Sequence, residues 1–95
     1  VKFYDWLDAR DLELNLCRHP QEGRWSAVLS YGCGTMVLRR EDGGLTSANG
    51  QGDSPETAVS DLASAVMGRC LVVVLTERAG GGELQSMRVP GSLTT

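Results

Sequence analysis

The residue types that most often carry chemistry are sparse in this chain. Its three cysteines, Cys17, Cys33 and Cys70, are widely spaced with no Cys-x-x-Cys, and His19 is the only histidine. A structural zinc site takes about four nitrogen or sulfur ligands at short spacing, so neither a metal site nor a cofactor site is expected. A nucleophilic triad needs a base held beside its nucleophile, and His19 adjoins Pro20 in a turn-forming stretch. Cys33 stands between Gly32 and Gly34 and reads as a turn residue without a neighbouring base to activate it. Cys70 opens an apolar run and reads as a core residue. The carboxylate pairs Asp5/Asp8, Glu41/Asp42 and Asp53/Glu56 suit helix starts and turns, whereas general acid–base work needs a buried, tuned group. Gly50-Gln51-Gly52 precedes a helix but lacks the lysine and hydroxyl of a phosphate loop, and Asp53 stands where an anion would bind. No catalytic residue is assigned, and an enzyme is not expected.

Charge and aromatic placement point to binding instead. Nine Lys+Arg face twelve Asp+Glu, for a formal charge of −3. A general nucleic-acid binder needs a basic face to displace counterions from phosphate. The one basic run, Arg39-Arg40, is followed at once by Glu41-Asp42 and reads as a solvated turn. All the aromatics, Phe3, Tyr4, Trp6, Trp25 and Tyr31, fall in the first third of the chain. On a sheet face such rings can stack bases or pack a helix. Three aromatics in four residues cannot all face inward, so Tyr4 or Trp6 is expected at the surface or at an interface.

The elements that must hold these residues are legible from periodicity. Phe3, Trp6 and Leu7 are spaced i, i+3, i+4, which predicts a short helix over 3–10. Leu12, Leu14 and Leu16 alternate with polar residues over 11–18. Trp25, Ala27, Leu29 and Tyr31 do so over 24–31, which predicts two strands of a hairpin joined by a turn at 19–23. Met36–Arg40 reads as a third strand, Asp42-Gly43-Gly44 as a turn, and Leu45–Asn49 as a short edge strand. Residues 50–53 read as a loop. Ser54-Pro55-Glu56 then starts a helix over about 55–67, with Ser54 as N-cap, Pro55 at its first position and Gly68 as its stop. Val59, Leu62, Ala63 and Val66 form its apolar stripe. Residues 69–76 are apolar on both faces and predict an interior strand, its second face covered by the N-terminal helix or a dimer partner. A glycine turn at 79–82, a last strand over 83–89 and a frayed tail follow. The expectation is one α+β domain over 1–89 with a flexible tail at 90–95. It is a two-layer sandwich of a mostly antiparallel sheet crossed by one long helix, in the order α-β-β-β-α-β-β.

Gly52-Asp53-Ser54-Pro55-Glu56-Thr57-Ala58, set after a strand meander and before a further strand, resembles the HicB antitoxin family, whose fold is related to double-stranded-RNA-binding domains. Phe3-Tyr4-Asp5-Trp6-Leu7, Gly23-Arg24-Trp25 and Gly68-Arg69-Cys70-Leu71-Val72-Val73 are also similar to short proteins of tailed phages and prophages. The likeness spans about residues 1–76, and the helix start is generic capping chemistry. It implies the fold and the binding of a partner. No basic C-terminal helix or DNA-binding segment follows residue 76, so operator or RNA binding is not carried over.

These readings converge on a phage or prophage accessory protein that binds a macromolecule. Its acidic surface fits a basic protein such as a nuclease or a host-defence component, inhibited by occlusion. Tyr4, Trp6, Trp25, Arg39 and Arg40 are the expected contact residues. One alternative is a nucleic-acid module using the sheet aromatics with Arg18, Arg24, Arg39 and Arg40. Another is a homodimer paired through Leu45–Asn49 or through the 70–75 strand. No apolar run approaches the roughly 20 residues of a membrane helix, and the first residues lack a signal-peptide core. A cytoplasmic location is therefore expected, in the host cell if the protein is phage-encoded.

Overall fold

The computed structural model describes residues 1–32, 34–75 and 82–95. Cys33 and the turn expected at 79–82, apart from Gly82, lie outside them. The elements run α1 (Phe3–Ala9), β1 (Glu13–His19), β2 (Arg24–Tyr31), β3 (Gly34–Arg39), β4 (Leu45–Ser47), β5 (Asn49–Gly52), α2 (Pro55–Val66), β6 (Cys70–Leu75) and β7 (Gly82–Arg88). The fold class is α+β with two helices and a sheet whose strand pairs are antiparallel. The strand order is β1-β2-β3-β6-β7, with β5 on β2 and β4 on β3.

α1 buries Phe3, Trp6 and Leu7, the spacing read from the sequence. It ends by a left-handed turn at Asp11, with φ of 55°. The Leu12 N–H donates to the Leu7 carbonyl at 3.0 Å and the Asp11 N–H to that of Asp8 at 3.2 Å. This is a Schellman ending, and the two residues it brings together, Leu7 and Leu12, are both buried. An aspartate thus fills a position usually held by glycine, tolerated because its short polar side chain accepts the left-handed conformation.

β1 and β2 form the expected hairpin, in register from Glu13↔Ser30 to His19↔Arg24. Beyond Tyr31, β2 and β3 pair only through Ser30↔Thr35 and Tyr31↔Gly34 and then diverge. The gap is filled by residues 45–52. β4 runs up along β3, the chain reverses at buried Ala48, and β5 runs back along β2. Two expectations change here. Leu45–Asn49 lies inside the sheet and not at an edge, and residues 49–52 are a strand and not a loop. The reason is a close approach invisible in one dimension. A Cβ on Gly50 would strike the backbone of α2 at Ala58 and Leu62, so the glycines let β5 run directly beneath the helix. The Asp61 carboxylate on α2 accepts the Gln51 N–H at 2.8 Å and ties the two elements.

α2 has twelve residues, so it is a short helix and not the long one expected. Its start is as read. Ser54 accepts the Thr57 N–H while the Thr57 hydroxyl takes the Ser54 N–H at 3.0 Å, a capping box followed by Pro55. Gly68 takes φ of 71° and turns the chain toward β6. Because α2 leaves from β5 and delivers the chain to β6, it must cross the strands.

One buried cluster joins both helices to alternate residues of the sheet, including Ala27, Leu29, Met36, Leu38, Leu71 and Val73. Val72 points the other way and is buried outside this cluster. α1 therefore does not cover the second face of β6. The tail is not frayed. Leu93 joins the core, and Thr94 pairs with Lys2, its carbonyl accepting the Phe3 N–H at 2.8 Å and its N–H donating to Val1 at 2.9 Å. The apolar Leu93 anchors residues that composition alone marks as loose.

Candidate functional site

The strand order gathers charges that are scattered in sequence. Arg39 ends β3, Arg69 precedes β6, and Arg88 ends β7. Leu38 pairs with Leu71 and Cys70 with Arg88, so Arg39 and Arg88 flank Cys70 on adjacent strands. Strands lie about 4.8 Å apart, which sets the two arginine backbones roughly 10 Å from each other. With Arg40 and Arg69 they line an open groove of about 830 Å³. Among the described residues, Glu41 and Asp42 are the acidic ones that line the groove. Among the described residues four arginines and two carboxylates line the groove, in a chain of nine basic and twelve acidic residues.

The groove walls are held by backbone bonds. Gly68 donates to the Pro90 carbonyl and Val89 to that of Arg69, both at 2.8 Å, fastening the end of α2 and the start of β6 to the end of β7. The turn after β3 is set by Asp42, whose carboxylate accepts the Gly44 N–H at 2.8 Å. Arg39 donates to the Gly43 carbonyl at 3.3 Å, and Arg40 pairs with Asp42 at 3.3 Å with both side chains exposed. An exposed pair of that kind is worth under about 1 kcal/mol and yields to a better partner. Among the described residues, Arg69 and Arg88 have no carboxylate partner, and both are exposed. Each guanidinium offers a planar fork that fits a carboxylate or phosphate with two parallel hydrogen bonds.

The expected contact residues separate. Arg39 and Arg40 line the groove. Tyr4 is 50% exposed on α1, while Trp6 is only 5% exposed, so Trp6 is a core residue and not a contact. Its position one helical turn from Phe3 puts it on the buried stripe. Trp25 is half-buried and packs, like Tyr31, against the core beneath the helices. Strand alternation places Arg39 and Arg88 on the other face of the sheet, so the sheet aromatics and these arginines do not share a surface. Cys70, expected in the core, is half-buried in the groove wall, because it alternates with core-facing Leu71. Arg69 and Arg88 were not singled out by sequence reasoning. Each is an isolated charge at a strand boundary, and only the β3-β6-β7 order joins them.

A second concavity of about 330 Å³ opens where the sheet splits, between the β2–β3 turn and the Ala48 corner. It is lined by Val28, Val37, hydroxyls of Ser30, Thr35 and Ser47, and Asn49, and carries no charge. Among the described residues no polar or charged side chain is buried, and no three His, Cys, Asp or Glu lie close enough to hold a metal ion. No described helix is long and apolar enough to cross a membrane. No family model, curated protein or solved structure matches this chain.

Proposed function

We propose that this protein is a non-enzymatic binding protein whose arginine groove holds an acidic segment of a protein partner. The observation that carries this reading is the convergence of Arg39, Arg40, Arg69 and Arg88 on one open groove in a chain of net charge −3. The groove's own charge is positive, so it attracts carboxylates. The acidic remainder repels a polyanion longer than the groove, which disfavours extended nucleic acid. Separation of the sheet aromatics from Arg39 and Arg88 removes the stacking platform that single-stranded nucleic acid uses. This reading takes a partner with an acidic docking segment, where the overall charge of the sequence led to a basic one. Together with the HicB-like helix start, this supports an antitoxin-like or anti-defence accessory protein of a phage or prophage, acting in the host cytoplasm by occluding its partner.

The test is fluorescence anisotropy with a short labelled peptide of glutamates and serines, alongside a single-stranded oligonucleotide of matched length. At about 0.15 M salt the peptide binds and the oligonucleotide binds more weakly. The double variant Arg69→Ala/Arg88→Ala keeps its fold, since both side chains are exposed, and loses roughly tenfold or more in peptide affinity. Tighter binding of the oligonucleotide would replace the reading with the nucleic-acid one. Equal peptide binding by the variant would remove the groove as the site.

A further inference from the structure

We propose that the outer edge of β1 pairs with the same edge of a second copy to form a two-fold dimer. The two outer strands of the path are β1 and β7. β7 meets β6 through a register break at Val73/Val74, the kind of irregularity that blunts an edge. β1 keeps only its charged Glu13 and Arg18 among the usual protections. It is seven residues long, contains no proline or lysine, and pairs with β2 in unbroken register. Every residue from Asn15 to His19 is exposed, and among the described residues no strand lies on its outer side.

The side chains define the occupant and the register. Leu12, Leu14 and Leu16 share the helix-facing side, and their cover fails along the strand. Leu12 is buried, Leu14 half-buried and Leu16 43% exposed. An antiparallel copy centred on Leu16 uses all seven residues of β1. It sets Leu16 against the partner's Leu16, Glu13 against the partner's His19, and Leu14 against the partner's Arg18. No like charges oppose each other, and the Arg18 stem covers leucine surface. Residues of the same parity then meet, so both copies keep their helices on one side of a continuous sheet. Because the strands run antiparallel, the two arginine grooves lie at opposite ends of the dimer and stay open. The dimer is a closed, isologous assembly, which continued edge-to-edge growth would not be.

Sedimentation of the full chain tests the pairing. The wild type is expected at twice 10.2 kDa. Leu16→Lys places two ammonium groups face to face on the two-fold axis and is expected to run as a monomer with unchanged circular dichroism, because Leu16 is exposed in the monomer. In the dimer Cys17 lies diagonally across from its copy, about 7–8 Å away. A short bis-maleimide therefore cross-links the wild type, and Cys17→Ser abolishes the product. A wild type that stays monomeric at its solubility limit overturns the proposal. So does a dimer that survives Leu16→Lys, or one whose cross-link does not depend on Cys17. Peptide binding in the groove stands or falls separately.

Discussion

Trp6 and Tyr4 show how two residues of one type class on a single helical turn take opposite roles. Trp6 is in the core, and its indole N–H is buried with no partner in the described structure. An unmet donor of this kind costs about 1–3 kcal/mol, which the burial of the ring must exceed. The Arg10 guanidinium lies 5.8 Å from the centre of the Trp6 ring and adds a cation–π contact. Tyr4 touches Phe3 in a tilted ring contact with centroids 6.2 Å apart and otherwise faces solvent. Trp6→Ala should therefore lower unfolding free energy by about 3–5 kcal/mol. Tyr4→Ala should stay within about 0.5 kcal/mol of the wild type. Urea titration separates the two. The spacing Phe3, Trp6, Leu7 carries this difference in the sequence. The meeting of Arg69 and Arg88 at one groove has no such signal, since no local period connects them.

At the scale of elements, the helix ends are local chemistry and the sheet interior is not. Ser54 and Thr57 satisfy each other's N–H groups within four residues. Ser54→Ala removes that exchange and should cost about 1 kcal/mol in urea-induced unfolding. Thr57→Ala should add little on top of it, because each substitution breaks the same reciprocal unit. The Schellman ending of α1 was not legible, because Asp11 stands where glycine usually signals it. The interior place of β4 and the strand character of β5 escape the sequence for a related reason. Thr46, Ser47, Asn49 and Gly50 have the composition of an edge or loop, and what makes them strands is the opening between β2 and β3. That opening depends on partners far away in sequence.

At the scale of the whole molecule, the two termini close on each other. Leu93 inserts into the core, and the Lys2–Thr94 bridge sets the last residues beside the start of α1. Removing Ser92–Thr95 should cost about 2–3 kcal/mol from the burial of Leu93 alone. In a domain of this size that lowers the melting temperature by roughly 10 °C or more, read by calorimetry. A frayed tail would leave it unchanged. The charge pattern is also a property of the whole. Sequence halves look evenly mixed, yet the fold collects four arginines at one groove.

The sequence by itself determined the two helices and most of the strands, the hairpin, the capped start of α2 and the α+β class. Each depends on contacts within a few residues or on a period of 3.6 or 2, which the chain carries in one dimension. Tertiary structure alone decided that β4 and β5 fill the sheet and that the C-terminal residues are anchored. It also decided where the charge goes. A charge placed at a strand end has no local period, so its neighbours are set by strand order, and strand order is fixed only when the sheet closes around its core.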